Sequence, residues 1–230
     1  MWRFLAIITA VSLLALSSCA TSGGSGEEKE SLSVERERAA IELLSLDMFS
    51  SLSSFSFDPD ILSEALPSSF STYEEYVPSY DTLKKKYLSD VAEVAAEAVE
   101  SYMPIIKEAA LEMAQDPLGY ISGDTTLSEA LERKMGVDLS SVIYDSFYAH
   151  SAFLEESFLS VSRVFDEIRK GYASLESVGK GEYLPEAKSI LFSNASTIVS
   201  DEFFRLLGKH EMILKNTPVS SNSPYSVFWE

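Results

Sequence analysis

Between Tyr80 and Gln115 the residues Leu83, Tyr87, Val91, Val94, Ala98, Tyr102, Ile105 and Ala109 recur at steps of three and four. That is the spacing of one face of an α-helix, and the pattern returns three more times along the chain. Ile41, Leu44, Met48, Leu52 and Phe55 predict a helix over Val34 to Phe55. Ile143, Phe147, Leu154, Phe158, Val161, Phe165, Ile168, Tyr172 and Leu175 predict one over about Asp138 to Leu175, whose seam beyond Phe158 resembles a coiled-coil edge seeking a partner. Leu191, Ala195, Ile198, Leu206 and Ile213 predict a last helix from Pro185 to about Leu214. No segment bounded by turn signals alternates apolar and polar residues or is rich in valine and isoleucine, so no sheet is expected. The predicted fold is all-α: a single helical bundle of about four long helices with short connecting helices.

The punctuation between the stripes agrees. Asp58-Pro59 opens a short helix that stops before Pro67, and residues 68–78 read as loop within a region carrying eleven serines between Ser45 and Ser79. Pro104 lies inside the second helix, where a missing donor and a clash with the preceding turn predict a kink or break near Ser101. Asp116-Pro117 closes that element, Gly119 and Gly123 mark a turn, and Thr125 or Thr126 caps a short helix ending at Gly136.

Ahead of this body stands MWRFLAIITAVSLLALSSC. One arginine precedes an uncharged apolar run from Phe4 to Leu16, thirteen residues long, which suits an export signal and falls short of the roughly 20 needed to span a bilayer. Small residues lead to Cys19, the only cysteine of the chain. This reads as a bacterial lipobox: residues 1–18 a lipoprotein signal peptide, Cys19 the lipidation site, residues 19–30 a Gly/Ser-rich tether, and residues 31–230 the helical domain. Two or more acyl chains suffice for stable anchoring. Ala20 lacks the aspartate that favours inner-membrane retention in enteric bacteria, so the expected location is the cell envelope, at the outer membrane.

After cleavage the chain would carry 17 basic and 36 acidic side chains. Nucleic-acid affinity comes mainly from Lys and Arg on phosphates, and the longest basic run is Lys84-Lys85-Lys86, so nucleic acid is excluded as a partner. Anionic lipid is disfavoured for the same reason, which leaves acyl chains as the membrane attachment and an envelope protein or an apolar ligand as the expected partner. With 46% hydrophobic and 11% aromatic residues, one core is attainable without disulfides.

Three stretches, in order, resemble the domain of unknown function 4197 family, found in exported and lipidated bacterial proteins. YLSDVAEVAAEAVESYMPIIKEAALEM, Tyr87 to Met113, is similar to that family's long helix, with small residues before a proline-containing segment. GYISGDTTLSEALERK, Gly119 to Lys134, is similar to its glycine turn leading into a helix. VSDEFFRLLGKHEMILKNTPV, Val199 to Val219, with Val227-Phe228, resembles its C-terminal helix and hydrophobic tail. The resemblance spans residues 83–230; it implies a helical exported protein and brings no catalytic residue with it.

For catalysis the scarce residue type is histidine. His150 lies between Phe147 and Leu154, and His210 between Leu206 and Ile213, so both fall on apolar seams, the usual place of a hydrogen-bonded core histidine. The sharper reading lets them converge with Glu155, Glu202 or Glu211 into the metal or acid/base site of a metal-dependent hydrolase. No metalloprotease motif, calcium loop or phosphate loop supports it, so no catalytic residue, metal ligand or cofactor is assigned. Tyr144, Phe147, Tyr148 and Phe153 cover more than one helix face, as expected of a central helix or of one lining a groove. The expected function is a lipid-anchored, non-catalytic binding or scaffolding module, with a carrier of an apolar small molecule or lipid as the rival reading.

Overall fold

The computed structural model describes residues 27–52, 55–66, 78–116, 125–157, 163, 187–217 and 224–229. Cys19 with the signal and most of the tether, the 68–77 loop, and the expected seam from Phe158 to Leu175 lie outside them. The chain divides into two units, Met1–Glu35 and Arg36–Glu230. Described residues of the first are helical; the second holds the core.

The protein is all-α, and the described residues contain no strand. Among the described residues four long helices carry the fold: α1 (Glu27–Ser51), α2 (Pro78–Met113), α3 (Leu127–Ala149) and α4 (Ala187–Asn216). Two 3₁₀ helices, Pro59–Ala65 and Pro224–Trp229, follow α1 and α4. Helix α1 begins at Glu27, so the last residues assigned to the tether are already helical, and it ends at Ser51 before the expected Phe55. Its stripe is nonetheless right: Ile41, Leu44 and Met48 are fully buried, and Leu52 and Phe55 nearly so. Asp58 caps the first 3₁₀ helix by accepting from Asp60 N at 3.0 Å, and Leu62 fixes it to the core.

Helix α2 is one helix through Pro104, so of the expected kink or break near Ser101 the break does not occur. The proline falls on the exposed face, beside exposed Glu100. The carbonyl that loses its helical donor there faces the exposed side, where water can bond to it. Just below the proline Ile105 is 49% exposed and Ile106 is fully buried. Ala109 of the expected stripe is buried again, together with Ala110, so the buried face widens toward Ile106 rather than leaving the expected one.

Helix α3 runs through Gly136, where a helix end was expected, and stops at His150. At Gly136 the helix is tied to its neighbour: Ser200 Oγ donates to the Gly136 carbonyl at 3.0 Å, and a Cβ there would meet Phe204 at an ordinary 3.9 Å. Residues 151–157 are again helical, with Leu154 buried. Ser157 Oγ donates to Asp90 at 2.6 Å, which ties this turn to α2.

Helices α3 and α4 pack antiparallel. Phe147 meets Phe192, Ser140 meets Ser196, Gly136 meets Ser200 and Ser128 meets Glu211, one series rising as the other falls. Of the expected face of α4, Leu191 and Ala195 are fully buried and Ile198 and Leu206 partly so, but the buried face also takes in Phe192, Val199, Phe203 and Leu207, at most 2% exposed, and leaves Ile213 53% exposed. One cluster joins these residues to Ile41, Leu62, Tyr87, Leu131 and Phe147. Among the described residues no helix is long and apolar enough to cross a membrane.

The C-terminal 3₁₀ helix docks on α1 and α4. Tyr225 Oη donates to Asp47 at 2.5 Å, Arg36 donates to Ser226 Oγ at 2.6 Å, and Lys215 Nζ sits 5.1 Å from the centre of the Phe228 ring.

Candidate functional site

The start of α3 is built twice over. Thr126 and Glu129 form a capping box: Thr126 Oγ1 accepts from Glu129 N at 3.3 Å, and Glu129 Oε2 accepts from Thr126 N at 3.1 Å. A second carboxylate then arrives from α4. Glu211, fully buried, accepts from Leu127 N at 2.9 Å, from Ser128 N at 2.8 Å and from Ser128 Oγ at 2.7 Å, and pairs with Lys215 Nζ at 2.7 Å. The first N–H groups of a helix have no partner within it and carry the positive end of its dipole, so a buried carboxylate there is compensated by four short contacts.

Close approach of the two helices depends on Gly208. A Cβ at that position would stand 3.0 Å from Ser128 Oγ, a hydroxyl already committed to Glu211.

Beside this joint lies an open cleft of about 680 Å³ between the Pro59–Ala65 helix, the start of α3 and the middle of α4. Its apolar lining comes from Ile61, Ile198, Phe204 and Met212. Its acidic lining comes from Glu64, Glu129, Glu132, Asp201 and Glu202, against a single base, Arg205. That guanidinium is already engaged: Nε and Nη2 donate to the two oxygens of Glu202 at 2.5 and 2.6 Å, and this hydrogen bond raises the Arg205 pKa further. The cleft therefore presents uncompensated negative charge around an apolar floor. Asp201 is shared with a smaller hollow of about 310 Å³ further along the same seam, lined by Gly136, Ser140, Thr197 and Ser200 among others.

The residues singled out from the sequence are placed elsewhere. His150 caps the C-terminal end of α3, exposed, with Nδ1 2.9 Å from the carbonyl of Ser146. His210 is half-buried on α4, one residue from Glu211 and therefore at the opposite end of α3. The 22 residues between Ser128 and His150 span about 33 Å of helix, so one ion cannot hold both imidazoles. Among the described residues no group of three or more His, Cys, Asp or Glu is arranged for a metal. Glu155 is exposed, Glu202 holds Arg205 and Glu211 caps α3.

Of the four rings, Phe147 is fully buried and stacked on Phe192 at 5.1 Å, which makes it core. Tyr148 is half-exposed, edge-on to Phe192 at 6.3 Å and 5.0 Å from Tyr144, and Phe153 is 46% exposed. Of these exposed rings Tyr148 reaches α4, against the same Phe192 on which Phe147 stacks.

Sequence reasoning named Glu211 only as a possible neighbour of a metal. Its real signal is position: it continues the buried seam Phe203, Leu207 at a step of four, where a core residue is due. The acidic cleft had no such signal, because its carboxylates come from three separate segments. No family model, curated protein or solved structure matches the chain.

Proposed function

We propose that this chain is a lipid-anchored bacterial cell-envelope protein, held at the outer membrane through Cys19, whose helical body is a non-catalytic binding module acting through the α3/α4 cleft. The observation that carries the reading is the cleft itself, an apolar floor with an acidic rim on a start of α3 made rigid by Glu211. Two features support the location: the apolar run ending at Cys19, and the segment-by-segment resemblance of residues 83–230 to exported and lipidated helical proteins. A carrier of apolar molecules is the less favoured reading, since small-molecule sites enclose most of the ligand surface and carry few charges. This cleft is open, with five carboxylates on its lining.

Two experiments test it. Growth of a bacterial host with an alkynyl fatty acid is expected to label the full chain and leave the Cys19→Ala chain unlabelled; label on both would overturn lipid anchoring at Cys19. A photo-crosslinking residue at Met212, at the cleft, is expected to give one adduct of discrete mass in membranes, and the same residue at exposed Glu97 on α2 is expected to give none. Equal adducts from both positions would remove the cleft as the binding surface.

A further inference from the structure

We infer that the occupant of the cleft is a basic amphipathic helix of a partner protein, lying along the α3/α4 seam. This rests on the reading of the cleft as the binding surface and adds the chemistry and shape of what it binds.

Charge decides the sign of the partner. Glu64, Glu129, Glu132 and Asp201 face the cleft, and its one guanidinium is already bonded to both oxygens of Glu202. Potential from one-sided carboxylates along a low-dielectric wall is focused into the concavity, attracts cations and repels anions. The floor decides that the partner is amphipathic rather than merely cationic. Ile61 and Ile198 are half-buried and Met212 is 60% exposed, so apolar surface is open within the cleft. A flexible thioether in that position can repack around an incoming apolar side chain.

Shape decides between a small molecule and a helix. Both hollows lie on one seam and share Asp201, and their α3 lining extends from Thr126 to Ser141. That is about 22 Å, or four helical turns, long and shallow like the grooves that receive amphipathic helices. At the second hollow the walls are small, and their hydroxyls are satisfied internally: Ser200 Oγ donates to the Gly136 carbonyl at 3.0 Å, and Ser140 and Ser196 hydroxyls lie 3.2 Å apart. A helix can approach there without stranding a polar group.

The test uses residues 19–230 made without acyl chains and a fluorescent peptide of about fifteen residues, matched to four turns, with leucine at helical spacing and lysine elsewhere. Anisotropy is expected to show micromolar binding that weakens with salt. A double substitution in the acidic lining, Glu132→Lys with Asp201→Lys, is expected to weaken it about tenfold or more. The same charge change on the exposed face of α2, Glu93→Lys with Glu97→Lys, is expected to cost less than about threefold. Comparable binding of a glutamate-for-lysine peptide, or equal weakening by both double substitutions, would overturn the inference. So would displacement of the peptide by a simple alkylamine at equal concentration, or self-association of the protein lost in the cleft variant, since each names another occupant. If the lysine peptide fails while the Met212 crosslink persists, the inference falls and the cleft reading stands; if both fail, both fall.

Discussion

The two ends of the α3/α4 pair join the same helices by opposite chemistry. At one end Phe147 stacks on Phe192 with Tyr148 edge-on, a joint of ring faces. At the other, Glu211 binds two backbone N–H groups and a hydroxyl of α3 and is itself held by Lys215, with Gly208 letting the backbones close. Stacked rings tolerate small rotations, because dispersion and area burial are weakly directional. A carboxylate across a helix N-terminus does not, since it fixes register, rotation and distance together. The cleft opens beside the polar joint, where geometry is fixed, which is the condition a preorganised binding surface needs.

The sharpest way to break the comparison is to remove one joint at a time. Glu211→Ala leaves two helix N–H groups and a partly buried lysine without their carboxylate and is expected to cost about 3–5 kcal/mol. Phe147→Ala leaves a cavity of comparable cost, about 3–5 kcal/mol. Denaturant melts would then give similar losses, and hydrogen exchange would separate them. Exchange at Leu127 and Ser128 is expected to rise toward the unprotected rate only in Glu211→Ala, and neutral Glu211→Gln should fall between that variant and the parent. Fast exchange at Leu127 in Phe147→Ala as well would mean that the two ends do not behave as separate joints.

Gly208→Ala is a smaller and more local perturbation. A methyl 3.0 Å from Ser128 Oγ must push aside a hydroxyl bonded to a buried carboxylate, so a loss of about 1–3 kcal/mol is expected, as for overpacking. Helix propensity alone would predict a gain of up to about 1 kcal/mol from Gly to Ala, so the sign of the change is the readout. Gly208→Ala combined with Ser128→Ala should recover part of the loss if the hydroxyl is the obstacle.

Gly208 also marks where the sequence stopped being readable. Stripes at helical spacing were sufficient for an all-α fold, for the buried face of α1 and for most of α2, because burial of an amphipathic face is a local property of the chain. Gly136 reads as a helix end and yet sits within α3, while Gly208 lies inside a helix as expected; what the sequence does not show is that Ser128, across the seam, stands 3.0 Å from where a Cβ of Gly208 would be. For α4 the local pattern finds the buried Leu191 and Ala195 but not the turn of the buried face toward Phe203, Leu207 and Glu211, which packing against α3 decides. The site was the least legible part, since Glu64, Glu132 and Asp201 meet only after the Pro59–Ala65 helix, α3 and α4 have packed.

The smallest expected effect concerns the clasp that backs the polar joint. Phe228 lies against Lys215, the partner of Glu211, and Tyr225 of the same 3₁₀ helix donates to Asp47. Burial, and then the bond to Asp47, push the Tyr225 phenol up, because the charged form would lose solvent and face a carboxylate. A phenol whose pKa is higher folded than unfolded adds stability that is complete below about pH 10, the ordinary value, and is lost as pH climbs above it. Tyr87 of α2, raised by burial, contributes in the same direction. At the aromatic joint Tyr144 is raised by its hydrogen bond with Tyr148, but it is only partly buried, so screening cuts its share. Melting temperature is therefore expected to hold level up to about pH 9 and to fall beyond pH 10. The fall should be shallower in Tyr225→Phe and little changed in Tyr148→Phe. Equal slopes in Tyr225→Phe and the parent would show that the clasp is not titrated with unfolding, and the alkaline loss would then belong to Tyr87 and the core, with Tyr87→Phe as the variant that flattens it.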